Sequence, residues 1–116
     1  MPVRRVAIFL SSGDDDALRC AGSCALTAAA SGDQVDVYLF GSAVPALVAS
    51  ADAEPGSAAE ALREARATGQ CRLVACSASV VAAKIDLAEA ERATDAVVGW
   101  PTILTWTRGI ADRFSF

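Results

Sequence analysis

The chain holds four cysteines, which are its candidates for covalent chemistry. Cys76 lies in the stretch LVACSAS (73–79), where an apolar run gives way to small hydroxyl residues that can start a helix. The N-terminal end of a helix favours a thiolate over a thiol, so this position predicts an activated, partly exposed nucleophile. The alternative is that Cys76 is a small core residue, because free cysteine is among the most buried residue types.

The other three cysteines have less chemical promise. Cys20 and Cys24 are four residues apart, hence on one face of a predicted helix, and we expect them to pack in the core. Cys71 opens the strand that Cys76 closes, and five steps of about 3.3 Å separate the two by about 16 Å. That distance exceeds the roughly 7 Å limit for a disulfide, so they cannot bond within the strand.

Composition excludes several kinds of function. The chain has no histidine, which removes the usual general base of Cys-His and Ser-His-Asp catalysis and leaves only cysteines and carboxylates as metal ligands. We therefore expect no metal site. The net charge of −4, with Lys84 as the single lysine, argues against a nucleic acid partner.

No segment approaches the roughly 18 apolar residues that a membrane-spanning helix needs. The apolar stretch 6–10 near the start is too short for a secretory signal and is soon followed by three aspartates. We expect a cytoplasmic protein without a membrane partner, whose thiols stay reduced.

Five short strands are predicted from apolar and β-branched runs: VAIFLSS, QVDVYLF, CRLVAC, AVVG and ADRFSF. Continuous apolar runs are typical of strands that are buried on both faces of a parallel sheet. Alanine-rich segments with helix signals separate these runs. The chain therefore predicts an α/β fold in which strands and helices alternate.

The helix signals are capping residues, prolines and glycines. Ser12 or Asp14 can cap the first helix, which Gly32 ends; Pro45 fits the first turn of a second helix, and a loop follows over 51–57. A capping box of Ser57 and Glu60 predicts a third helix that runs to about Thr68 and stops at Gly69. Ser77 or Ser79 can cap a fourth helix, and a second box of Asp86 and Glu89 predicts a fifth helix to about Arg92. Pro101 fits the first turn of the last helix, which stops at Gly109.

This order predicts one domain, residues 1–116, with a flavodoxin-like three-layer sandwich around a mainly parallel five-stranded sheet. In such folds the site forms at the carboxyl ends of the strands. Those ends are residues 11–14, 40–42, 76–79 and 99–101.

The stretches VAIFLSSGDDDAL, GDQVDVYLF, VACSAS, AVVG and ADRFSF together resemble the DsrE/DsrF-like superfamily, which includes the TusD sulfur-relay proteins and a branch labelled peroxiredoxin-like. The resemblance covers nearly the whole chain and implies that Cys76 corresponds to the cysteine that accepts sulfur as a persulfide. It also implies a trimer or hexamer, no cofactor, and a small sulfur-carrier protein as partner. Lys84 stands where close relatives have glycine, and Trp100 replaces the second glycine of a pair that begins with Gly99.

The leading hypothesis is a small cytoplasmic sulfur-relay protein, a sulfur carrier or sulfurtransferase, with Cys76 as the sulfur-carrying residue. The backbone N–H groups of Ala78 and Ser79, with the hydroxyls of Ser77 and Ser79, would stabilise the anion. Ser12, Phe40 and Trp100 would shape the mouth, and Gly99 is a further binding residue. The alternative is a non-catalytic oligomeric binding or regulatory subunit with a structural Cys76. A thiol peroxidase has little support, because the chain lacks the threonine, proline and arginine setting of peroxidatic cysteines.

Overall fold

The computed structural model describes residues 3–50 and 55–116. Its strands are β1 (Arg5–Leu10), β2 (Gln34–Leu39), β3 (Cys71–Cys76), β4 (Ala96–Val98) and β5 (Asp112–Ser115). Its helices are α1 (Asp15–Ala30), α2 (Ala43–Ala49), α3 (Glu60–Ala67), α4 (Ser77–Ala82), α5 (Leu87–Ala93) and α6 (Trp100–Thr107). All five predicted strands are present. The predicted loop 51–57 lies outside the described residues over 51–54.

The five strands form one sheet in the order β4-β3-β2-β1-β5, and every neighbouring pair is parallel. The prediction of a mainly parallel α/β sheet is confirmed. The chain steps from β1 to β4 in one direction and then returns past β1 to β5. Because parallel crossovers are right-handed, this reversal places α6 on the face opposite the other helices.

Two apolar cores lie on the two faces of the sheet. The first face carries alternate strand residues such as Ile8, Val37 and Leu73, which pack against residues of α1 to α5. The second face carries a smaller core made of Ala7, Tyr38, Val74, Cys76, Ile103 and Ile110. Among the described helices only α6 contributes to this second core, so the three layers are unequal.

Two predicted helix caps are wrong. The box of Ser57 and Glu60 does not form: α3 begins at Glu60, whose carboxylate accepts the Gly56 N–H at 2.8 Å. The N-cap of α4 is Cys76 rather than a serine, and it makes no side-chain capping bond. Asp86 does cap α5, because its carboxylate accepts the Ala88 N–H at 3.4 Å.

The end of α4 explains the backbone of Lys84. The Lys84 N–H donates to the Val81 carbonyl at 3.0 Å, and the Ile85 N–H donates to the Val80 carbonyl at 3.2 Å. This Schellman motif puts Lys84 in the left-handed region, with φ of 57°. Glycine takes that conformation without strain, whereas for lysine the conformation costs about 1 kcal/mol or more.

None of the helices in the described ranges is both long and apolar enough to cross a membrane.

Candidate functional site

Hydrogen bonds tie together the loops that follow β1, β2 and β3. The Gly13 N–H donates to Ser42 Oγ at 2.9 Å, and the Gly41 N–H donates to Ser79 Oγ at 2.9 Å. The first bond joins the loop after β1 to the loop after β2, and the second joins the loop after β2 to the first turn of α4. The carboxyl edge of the sheet is therefore a connected surface.

A cleft of about 510 Å³ opens on this edge. Its walls come from the loop after β2, from α2, from α4 and from the start of α6. The lining residues are Phe40, Gly41, Ser42, Pro45, Cys76, Ala78, Ser79, Ala82, Ala83 and Trp100. This lining carries no charged side chain, and Cys76 is its one thiol.

Aromatic rings form one side of the cleft. Trp100 stacks on Phe40 with 5.0 Å between ring centroids and 16° between planes. Phe40 in turn stacks on Phe9 at 6.4 Å, and Phe9 stacks on Tyr38 at 5.5 Å. The stack runs from the buried Tyr38 to Trp100, which is 51% exposed. Trp100 is thus both a wall of the cleft and a surface aromatic.

Cys76 lies at the base of this cleft and is only 3% exposed. The expectation that its side chain is partly exposed is wrong. The cause is its place on the second face, where it neighbours Val98 of β4 and shares a core with Val74 and Ile103. Its backbone is extended, with φ of −72° and ψ of 123°, and α4 begins at the next residue. The first N–H groups of that helix have no partners within it.

The structure brings five of the eight residues proposed for the site to the cleft: Phe40, Cys76, Ala78, Ser79 and Trp100. Ser77 and Gly99 adjoin each other outside the lining, since a Cβ added to Gly99 would lie 3.5 Å from Ser77 Oγ. Ser12 is also outside, and its hydroxyl accepts the Asp14 N–H at 3.2 Å. The roles assigned to these residues remain predictions.

Sequence reasoning missed Pro45, Ala82 and Ala83 as lining residues. Helical spacing offered a signal for one of them, because Ala82 follows Ala78 by four residues and so lies on the same face of α4. Pro45 had no comparable signal, since its position depends on how α2 packs beside α4.

The other cysteines have different surroundings. Cys20 is exposed, so the prediction that it packs in the core is wrong; Cys24 is half-buried against the first core, and burial raises the pKa of its thiol. Cys71 is buried, and desolvation, followed by the charges of Asp36 and Asp95, raises its pKa to about 12. Cys71 is therefore a protonated thiol at neutral pH. All four cysteines are free.

Within residues 3–50 and 55–116, no three cysteine or acidic side chains converge as a metal site would require.

The model of the DsrE/DsrF-like family matches residues 4–114 of the chain. No curated protein matches the chain. The family match spans every helix and strand described above except for Ser115, the last residue of β5.

Proposed function

This chain belongs to the DsrE/DsrF-like family, which is associated with sulfur relay, and on that premise we propose that it carries sulfane sulfur as a persulfide on Cys76. One observation supports this choice of residue above all: Cys76 is the one thiol lining the cleft at the carboxyl edge of the sheet. Cys24 and Cys71 have raised pKa values, and Cys20 lies on the exposed side of α1.

The proposed reaction is two thiol–disulfide-type exchanges. The Cys76 thiolate attacks the outer sulfur of a donor persulfide, R–S–SH; a new S–S bond forms on Cys76, the donor S–S bond breaks, and the donor leaves as R–S⁻. An acceptor thiolate then attacks the terminal sulfur on Cys76, which returns to a thiolate. Each exchange conserves electrons, so no external oxidant or cofactor is needed.

Residues around the cleft supply donors for the anionic terminal sulfur. The N–H groups of Ala78 and Ser79 lie in the first turn of α4, where backbone donors lack helical partners. Ser79 Oγ already accepts a bond from the Gly41 N–H, so its own proton is free to donate. Ser77 does not line the cleft, and we assign it no part in the reaction.

Mass spectrometry after treatment of the native protein with inorganic polysulfide tests the proposal. We expect one added sulfur atom on the peptide that contains Cys76, removed by excess thiol, while Cys24 and Cys71, which lie outside the cleft and have raised thiol pKa values, stay unmodified. The same treatment in denaturant is the control and should modify all four cysteines. Absence of sulfur from the Cys76 peptide of the native protein would sink the proposal.

A second candidate function is a binding or regulatory subunit in which Cys76 is structural. The observation in its favour is the burial of Cys76, which packs with Tyr38, Val74 and Ile103 in the second core. This alternative predicts that polysulfide leaves the Cys76 peptide unchanged until the protein unfolds. The experiment above therefore separates the two candidates.

We further propose that the chain forms a homo-oligomer, a trimer or a hexamer, and passes sulfur to a small sulfur-carrier protein. Two large apolar side chains on α6 support association, since Trp100 is 51% and Leu104 57% exposed.

Light scattering at micromolar concentration should report an assembly of three or six chains, because association would cover the apolar surface of α6. Leu104→Lys should shift the protein toward monomer, since it places a charge in that surface. Val81→Lys is the matched control: Val81 is 76% exposed but lies on α4, so its replacement should leave the assembly intact. A monomeric wild-type protein contradicts the prediction.

A further inference from the structure

Helix α6 is the cover over Cys76 on the second face of the sheet. Its Ile103 is buried in the same core as Cys76, and its Trp106 packs half-buried against that core. Its first residue, Trp100, forms the aromatic wall of the cleft. The position of α6 therefore controls both access to Cys76 and the shape of the cleft.

Arginines hold the C-terminal half of α6. Arg5 Nη2 donates to the Trp106 carbonyl at 2.9 Å, and Arg113 Nη2 donates to the Thr107 carbonyl at 2.8 Å. The Arg72 guanidinium lies over the Trp106 ring, with its Cζ 4.1 Å from the ring centroid. This is cation–π geometry, which arginine and tryptophan form most favourably.

Arg72 is itself held in place by a paired carboxylate. Its Nε and Nη2 donate to the two oxygens of Asp36 at 3.1 and 3.0 Å. The Asp36 side chain is only 15% exposed and also accepts the Tyr38 hydroxyl at 3.2 Å. A bidentate pair fixes the plane of the guanidinium as well as its position. The Trp106 ring thus rests on a rigid platform built from β2 and β3.

Arg72 does not reach the sulfur directly. Arg72, Val74 and Cys76 alternate along β3, so Arg72 lies on the same face as Cys76 and about 13 Å from it. Its influence passes through α6, along which Trp106 and Trp100 are about 9 Å apart. A short helix transmits a shift at one end to the other, because its backbone is rigid.

We propose that Arg72 is a positioning residue, which fixes α6 through Trp106 and so holds the Trp100 wall and the cover over Cys76. The inference rests on the proposed function and deepens it. If Cys76 carries a persulfide, the cover formed by α6 slows the access of water and small thiols to that persulfide. Its physical content, control of access to Cys76, is measurable with or without sulfur.

The test compares native-state alkylation of Cys76 by iodoacetamide in wild type and Arg72→Met. Methionine keeps a long unbranched stem and removes the guanidinium, so α6 should detach more often and alkylation should accelerate by about tenfold. Arg72→Lys keeps the charge but cannot form the bidentate pair and the flat stack together, so it should give a smaller acceleration. In each protein the label is assigned to Cys76 by peptide mapping.

Arg66→Met is the matched control. Arg66 also pairs with an aspartate, Asp95, at 3.1 Å, and also donates to backbone carbonyls, those of Ala93 and Thr94. It lies on α3, which packs on the first face, so its loss should change the Cys76 alkylation rate by no more than about twofold. Equal acceleration in Arg66→Met and Arg72→Met would overturn the proposal.

The urea dependence of alkylation distinguishes detachment of α6 from general instability. Opening of one helix exposes little surface, so the added rate in Arg72→Met should depend weakly on urea, whereas global unfolding depends steeply. A steep dependence overturns the proposal. Trp106→Leu is a second variant, which removes the ring beneath the guanidinium and should show the same weak dependence if Arg72→Met does not fold.

The outcomes also separate this proposal from the proposed function. If polysulfide fails to load wild-type Cys76, the relay function fails, and the alkylation comparison still decides the role of Arg72. If wild type loads, Arg72→Met should load too and then lose the sulfur to excess thiol about tenfold faster. An unchanged alkylation rate and an unchanged persulfide lifetime would each overturn the positioning role.

Discussion

In a Cys20→Ala background, which removes the exposed thiol, Cys76→Ala is expected to abolish sulfur loading of the native protein while the chain still folds. Loading needs a thiolate at the base of the cleft, and Cys76 supplies its one thiol. Alanine removes only the sulfur from a buried site, which costs about 1–2 kcal/mol in the free energy of unfolding. Loading is measured by intact mass after polysulfide treatment, and folding by circular dichroism and a urea titration.

The choice of substitution matters because Cys76 is 3% exposed. Serine would bury a hydroxyl among apolar side chains and costs about 1–3 kcal/mol unless it finds a hydrogen-bond partner. Cys76→Ser should therefore also fail to load, with lower stability than Cys76→Ala. Cys24→Ala is the control that should load normally. Retained loading in Cys76→Ala, on any other cysteine, would refute the assignment.

Much of the fold could be predicted because its signals are local. The run CRLVAC predicted a strand with the bounds that β3 has, and Gly69 predicted the stop before it, where the backbone φ is +81°. Strands that alternate with helices leave a parallel sheet as the favoured arrangement. The same logic gathered Phe40, Cys76 and Trp100 at one edge of the sheet, as the cleft has them.

The burial of Cys76 could not be predicted from local signals. It depends on the return of the chain from β4 past β1 to β5, which carries α6 across the second face. The alternation of side chains along β3 predicts which face of the sheet Cys76 lies on, but it does not predict which element covers that face. The contact between Arg72 and Trp106 was missed for the same reason, since Trp106 lies on an element distant in sequence.

The error on Cys20 has a different cause, which is the angular position on α1. The buried residues of this helix are Leu18, Ala21, Gly22, Ala25 and Ala29. At 100° per residue, Cys20 lies about 160° from the nearby Leu18, whereas Cys24 lies at the margin of the buried stripe. Because α1 has small residues on every side, its sequence was compatible with several different buried faces. Packing against the sheet and α3 determines which face is buried.

Gly13→Ala is expected to lower the free energy of unfolding by about 3 kcal/mol and to disturb the cleft. A Cβ at Gly13 would overlap the carbonyl oxygen of Ser42 and would lie 3.0 Å from the Ala46 Cβ. The overlapped atom belongs to the backbone of the loop after β2, so relief requires that this loop move. The Gly13 N–H bond to Ser42 Oγ holds the two loops together at the same point.

Gly99→Ala is the matched control, because a Cβ at Gly99 would make ordinary contacts, 3.5 Å from Ser77 Oγ and 3.6 Å from Pro101 Cδ. Both glycines lie at the carboxyl edge of the sheet, and urea titration should show a loss below about 1 kcal/mol for Gly99→Ala. Movement of the loop after β2 would carry Phe40 and Gly41 with it, so Gly13→Ala should also slow sulfur loading of Cys76. If the two variants are equally stable, the loops after β1 and β2 tolerate separation, and the connected edge does not hold the cleft in shape.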